Sequence, residues 1–277
     1  PPETCPGGSA MCPVDVVTRT STAETCNGVD DDCDGQTDET YTPLPVSCAS
    51  VNRGSPTGVY QLDPDGAGPI APFAAYCDMT SSGGGWTLAL KADGRNATFV
   101  YDAAYWTNGT LLTTASTNNS YQEAKFNSFT ATRFNQIIAG MSGNGYDRNV
   151  VMTLASTYTS LSTLFMGGQV ATGLGRSAWL NLIPNSTLQP NCNLEGININ
   201  PNPAVSERVR VGILGNNEAD CATADSRLGI GGYGNNCVTL LNQSVGNTTR
   251  CGGTNGDADV TTFGYLQVRD TAAAINS

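Results

Sequence analysis

The chain has 277 residues, 39% of them hydrophobic and only 13% charged, with a formal net charge of −11. There is enough apolar material for a core, which excludes wholesale disorder. Thirteen Lys and Arg against 24 Asp and Glu leave no basic surface for phosphates, which excludes a nucleic-acid partner. Histidine is absent, so Ser-His-Asp and Cys-His catalysis and all histidine-ligated zinc or copper centres are excluded as well. No apolar run approaches the roughly 20 residues that span a bilayer, and no membrane insertion is expected. The ten cysteines are widely spaced with no Cys-x-x-Cys pair, which points to disulfides in an oxidising compartment. Pro1 is not an initiator residue, so removal of a leader is expected. The reading is a secreted or extracellular surface protein.

Residues 1–45 are expected to be a separate acidic module and linker, and residues 46–277 the main domain. Residues 1–40 hold nine acids against one base, Arg19, and almost no large apolar side chains. Such a segment cannot bury a core, and local staples are the usual substitute. Cys5 and Cys12, and again Cys26 and Cys33, enclose six residues each, which suggests two loops closed by local disulfides. Asp30, Asp32, Asp34 and Gly35 stand at positions 1, 3, 5 and 6 of an Asp-x-Asp-x-Asp-Gly loop, with Asp38 at position 9. Alternating carboxylates converge on one hard cation while the glycine allows the sharp turn. Position 12 is Tyr41 rather than a bidentate Glu, so Glu39 or water completes the shell. The candidate Ca2+ set is Asp30, Asp32, Asp34, Gln36, Asp38 and Glu39. Its oxygen-only chemistry favours calcium over copper. Thr42-Pro43-Leu44-Pro45 reads as a linker.

Beyond Cys48, Gly58–Leu62 alternates as a strand, Asp63–Gly66 is a turn, and Phe73–Met79 is a second strand. Trp86–Leu90 is a third. Residues 121–141 carry Phe126, Phe129, Phe134, Ile137 and Ile138, with helical spacing from Phe134 onward. Val150–Leu154, Arg208–Leu214 and Phe263–Val268 read as strands. Residues 215–260 show little periodicity and read as a long irregular loop, which inside a folded domain is usually functional. Trp86, Trp106 and Trp179 are expected in the core. Six Asn-x-Ser/Thr sequons (Asn96, Asn108, Asn118, Asn185, Asn242, Asn247) are a weak signal in a chain so rich in Asn and Thr.

The stretch from Cys48 through Tyr76-Cys77-Asp78-Met79 to Gly83-Gly84-Gly85-Trp86-Thr87 resembles the opening of a fibrinogen-related domain. Asn118–Phe126, Asn216-Asn217-Glu218 after Val209–Leu214, and Gly231–Cys237 are similar to the intelectin (X-type lectin) branch, and Phe263–Arg269 resembles its closing strand. The head residues Glu24–Glu39 resemble an acidic Cys/Asp repeat of bacterial surface and secreted proteins. The implied fold class is α+β: a fibrinogen C-terminal-like domain with a mostly antiparallel sheet and long calcium-stabilised loops. The resemblance implies a Cys48–Cys77 bridge tying the first strand to the second. It also favours Cys221–Cys237 with Cys192–Cys251, the rival pairing being Cys192–Cys221 with Cys237–Cys251.

By the same resemblance, Asn217 and Glu218 are calcium ligands at a sugar site, and Gly231–Cys237 is the rim of its pocket. Asp220, Asp225, Asp257 and Asp259 are further candidate ligands, and Tyr233, Asn235 and Asn236 are candidate glycan contacts. A calcium with open positions accepts two adjacent hydroxyls, which suits a vicinal diol. The implied function is a calcium-dependent lectin for cell-surface glycans, gaining avidity from several copies on a surface or in a homo-oligomer. The alternative is an adhesive or structural surface protein that uses calcium only for stability. With no histidine, no phosphate loop and no convincing carboxylate pair, an enzyme is not expected.

Overall fold

The computed structural model describes residues 44–52, 54–66, 68–115, 120–234 and 243–272. The acidic head, with its two short cysteine loops and the Asp30–Glu39 set, lies outside the described residues, as do Asn118, Asn235, Asn236, Cys237 and Asn242.

In chain order the strands are β1 (Gly58–Leu62), β2 (Phe73–Asp78), β3 (Trp86–Asp93), β4 (Ala124–Lys125), β5 (Phe134–Gly143) and β6 (Tyr146–Tyr158). They continue as β7 (Asn191–Ile199), β8 (Arg208–Asn216), β9 (Ser226–Tyr233), β10 (Val245–Thr249), β11 (Ala258–Thr261) and β12 (Phe263–Arg269). The first sheet has the order β1-β2-β3-β12-β5-β6. β2 pairs only with Trp86 and Thr87 of β3, and β4 takes the same strand at Leu90 and Lys91. The second sheet is the meander β11-β10-β9-β8-β7. All these pairings are antiparallel.

The α+β expectation is therefore corrected to a β-rich fold. The α-helices among the described residues are short: α1 (Ser128–Ala131), α2 (Leu161–Met166) and α3 (Arg176–Leu180). The helical spacing from Phe134 belongs instead to β5. Ile137 joins the core shared by the two sheets, while Ile138 packs in a second cluster with Trp86 and Tyr265. Successive strand residues point to opposite faces. A strand buried on both faces loses its alternation, and the leftover pattern imitated a helix. Among the described residues no helix is long and apolar enough to cross a membrane.

One buried cluster joins the two sheets. The first contributes Leu90, Ile137, Met141, Met152 and Leu266, the second Ile197, Val211, Ile213, Leu228 and Ile230. Trp106 and Trp179 belong to this cluster and Trp86 to the second, all fully buried. Residues 215–260, expected to be irregular, instead contain β9, β10 and β11. Glycine hid them. Gly196, Gly212, Gly229 and Gly246 stand opposite one another across β7, β8, β9 and β10. A Cβ on any of them would lie 2.0–2.3 Å from a backbone carbonyl oxygen. This row has to be side-chain-free, and without side chains no hydrophobic period can be written.

The Cys48–Cys77 disulfide is present. Cys48 lies in a 3-10 turn (Cys48–Ser50) ahead of β1, so the bond ties that turn to β2 rather than strand to strand. Three consecutive glycines, Gly83, Gly84 and Gly85, all adopt positive φ. At Gly84 a side chain would also strike the Met79 carbonyl oxygen at 2.3 Å. The turn they make drops Trp86 into the core, where its indole N–H donates to Ser81 O (2.8 Å) and the Arg269 guanidinium lies 4.0 Å from its ring centroid.

Two lysines are buried in this sheet. Lys125 Nζ donates to Asn108 O (2.6 Å) and faces the Phe129 ring at 4.7 Å, while Lys91 Nζ donates to Ser120 Oγ (3.3 Å). Burial lowers both ammonium groups to about 8. A lysine depressed on folding binds its proton more weakly in the native state, so stability rises with pH between the native and unfolded values. Burial, then the Asp147 charge, pushes the Tyr265 phenol up, and this opposes the gain once unfolded tyrosines ionise near 10. Urea unfolding should therefore show stability increasing from pH 8 to about 10. A flat or falling profile would mean that both ammoniums stay charged in the native chain.

Candidate functional site

The β8–β9 connection carries the acids that the sequence singled out. β8 ends at Asn216 and β9 begins at Ser226, with Gly215 opposite Ser226. Fully buried Asn216 organises the loop from within. Its amide donates to Asp220 O (2.9 Å) and Thr223 Oγ1 (3.3 Å), and its Oδ1 accepts from Asn217 N (3.0 Å). Asn191 Nδ2 at the start of β7 donates to Asn217 O (2.6 Å).

Cys192 of β7 is bonded to Cys221 in the same loop. The favoured Cys192–Cys251 and Cys221–Cys237 pairs are thereby overturned. Cys251 is also disulfide-bonded. A bulge at Cys192, with positive φ there and at Asn193, turns the cysteine toward the loop.

Asn217, Glu218 and Asp220 are exposed, and Asp225 is half-buried. Asn217 Nδ2 donates to Glu218 Oε1 (2.8 Å), and Asp220 Oδ1 accepts from Ala222 N (2.8 Å). Burial, and next the neighbouring Glu218 charge, raise the Asp225 carboxyl above the ordinary carboxylate range, while a hydrogen bond from Gln189 pulls it down.

The other candidate ligands are engaged elsewhere. Asp257 Oδ1 accepts from Gly252 N (3.0 Å), and Asp259 pairs with Arg250. The register Ser226–Thr249–Ala258 puts them at the same end of the sheet as the β8–β9 loop, but within their own turn. Among the described residues no three Cys, Asp or Glu side chains gather to hold a metal. No three of Glu218, Asp220, Asp225, Asp257 and Asp259 therefore converge as one acidic cluster.

Tyr233 is not part of this loop. It ends β9 opposite Arg208, seven residues from Ser226, which is about 23 Å along an extended strand. Because β9 is a strand and not a loop, Tyr233 cannot fold back toward Glu218. The Tyr233 ring instead carries the Arg208 guanidinium at 4.2 Å, and Arg208 also pairs with Asp102 (3.3 Å).

Gln189 and Asn191 were not among the expected site residues, yet Asn191 holds Asn217 in place and Gln189 Nε2 donates to Cys251 O (2.7 Å). Arg176 fixes the segment behind them through Leu188 O (2.7 Å), Gln189 O (2.8 Å) and Asn193 Oδ1 (2.8 Å). Only the Cys192–Cys221 pairing, had it been preferred, would have placed this segment beside the loop. No protein-family model matches the chain.

Proposed function

We propose that the chain is an extracellular carbohydrate-binding protein of the lectin type, in which Asn217, Glu218 and Asp225 form a cation-assisted glycan site. The observation behind this reading is the disulfide-braced β8–β9 loop, ordered by Asn216 and Asn191, which carries exposed Asn217 and Glu218 and half-buried Asp225. The fibrinogen-related and intelectin-like segments of the sequence support the same reading. The Cys48–Cys77 and Cys192–Cys221 disulfides among the described residues accord with an oxidising compartment.

Two carboxylates and an exposed amide fit a hard cation that keeps most of its shell open, rather than a cage of six to eight protein oxygens. Calcium bound there would offer two adjacent sugar hydroxyls a place to coordinate. Asn217 and the carboxylates then orient those hydroxyls by hydrogen bonding. Such an open, wet site gains little from apolar burial, so single-site affinity is weak.

The test is calcium and glycan titration of the full chain with and without chelator. Calcium at a hundredfold excess over its Kd should stabilise the fold by about 2.7 kcal/mol. A carboxyl raised on folding disfavours the native state once it ionises, so without calcium stability falls as pH climbs through the elevated Asp225 value. Asp225→Asn should therefore stabilise the calcium-free chain and weaken glycan binding together with the calcium response of this site. Asp32→Ala reports separately on the head. The absence of any chelator-sensitive glycan binding, or chelator-sensitive binding that Glu218→Gln leaves unchanged, would refute the site.

A further inference from the structure

Every described Trp and Phe is buried, and among the described tyrosines only Tyr121 is exposed, at 60%. Its ring packs at right angles to Phe263, with centroids 5.1 Å apart and planes at 86°, and most of it stays open to solvent. Two clefts meet at the ring. One, of about 340 Å³, is lined by Asp93, Arg95 and Asn144 among others. The other, of about 680 Å³, includes Asn96, Thr98 and Glu123. Asp93 and Tyr121 line both.

The polar groups around the ring are fixed in advance. The Glu123 carboxylate accepts from Asp93 N (3.0 Å), Asn96 Nδ2 (3.0 Å) and Thr98 Oγ1 (2.8 Å). The Asp93 carboxylate accepts from Arg95 N (2.9 Å) and pairs with the Arg95 guanidinium. Glu123 Oε1, with Asp93 N as its one donor, keeps spare acceptor capacity, and the Arg95 side chain, 75% exposed, presents donors to solvent.

Several ligand classes fit poorly here. Two carboxylates repel an anion. Their charge is already answered by Arg95 and by amide and hydroxyl donors, so a metal is not required. The polar linings do not suit a purely apolar ligand. What remains is a neutral molecule with hydroxyls on its rim and a flat C–H face to lie on an aromatic ring. We propose that Tyr121 divides a calcium-independent groove for a neutral oligosaccharide, with a sugar unit against the exposed part of the ring. The groove lies on the first sheet, where β3 ends at Asp93 and β12 begins at Phe263, whereas Glu218 and Asp225 belong to the second. It therefore does not depend on the calcium-assisted site.

The experiment uses the full chain in excess chelator. The probes are neutral glucose, mannose, galactose and N-acetylglucosamine oligomers of increasing length, read by saturation-transfer NMR and calorimetry. At least one series should bind, tightening as the oligomer grows from one unit to three. Tyr121→Ala should weaken that binding about tenfold or more, with the melting midpoint unchanged. Tyr121→Phe should retain it, and Glu218→Gln should leave it untouched. The proposal is overturned if no series binds in chelator, or if Tyr121→Ala binds like the unaltered chain. Loss of the calcium-assisted site would instead appear as missing chelator-sensitive binding, in arms where Glu218→Gln and Asp225→Asn are compared.

Discussion

Replacing Arg227 with methionine is expected to destabilise the chain by about 3–5 kcal/mol. Glu207, just ahead of β8, is fully buried, and Arg227 on β9 is 1% exposed. An Arg227 Nη1 donor meets Glu207 Oε2, while Glu207 Oε1 finds no hydrogen-bond partner among the described residues. Burial pushes the Glu207 carboxyl up to about 7 even against the pull of Arg227. Without the guanidinium, the carboxylate would face its desolvation penalty alone and would fold best protonated. The loss in Arg227→Met should therefore be smaller at pH 6 than at pH 8, because a carboxyl raised on folding destabilises the native state as it ionises. Adding Glu207→Gln to Arg227→Met should recover much of the loss. Urea unfolding of the three variants at the two pH values checks this. A loss below about 1 kcal/mol in Arg227→Met would be that of an ordinary substitution and would show that the pair is not structural.

Trp86→Ala is the second large effect, again about 3–5 kcal/mol for an aromatic-to-alanine change in a packed core. Three losses coincide at this position. The cluster of Leu88, Phe126, Ile138 and Tyr265 loses its largest member. Ser81 O loses the indole donor. Arg269 loses the ring beneath its guanidinium, although its bonds to Ser82 O (3.0 Å) and Gly84 O (2.7 Å) can persist. Trp86→Phe keeps a ring and should lose considerably less. Thermal unfolding with glycan binding measured in parallel separates the roles, because this tryptophan should change stability and leave ligand preference alone. A Trp86→Ala chain as stable as the original would mean that the Gly-Gly-Gly-Trp motif serves something other than packing.

The elements legible in the sequence were those with strong local signals. β1 and β2 had alternation and a turn between them, and Gly83–Trp86 had a spacing that only a tight turn into a core explains. β8 and β12 were legible as apolar runs. β5 was not, because burial on both faces puts Ile137 and Ile138 side by side in the sequence. β9 and β10 were not, because the Gly229 and Gly246 positions exclude side chains. The loop acids were found by composition, but their partners were not. Whether Asp259 faces a cation or Arg250 depends on the pairing of β10 with β11, which leaves no mark in the local sequence. Tyr233 was grouped with Glu218 by the resemblance of Gly231–Cys237 to a pocket rim, and the intervening residues looked like loop. Once they are a strand, sequence proximity becomes a separation of roughly 23 Å.

The position of β12 has a consequence for the order of assembly. The second sheet joins neighbours in the chain, so each strand can dock on the one before it, a low-contact-order process. The first sheet cannot be completed that way. β12 comes from residues 263–269 yet lies between β3 and β5, so both flanks of the gap are made long before the strand that fills it. Until those residues emerge, β3 and β5 each present unpaired backbone, the condition under which chains cross-associate. Arg269, the last residue of β12, then closes the gap and reaches the Gly83–Trp86 turn in one step. Chains cut short before residue 263 should accordingly collect as aggregates rather than as soluble fragments.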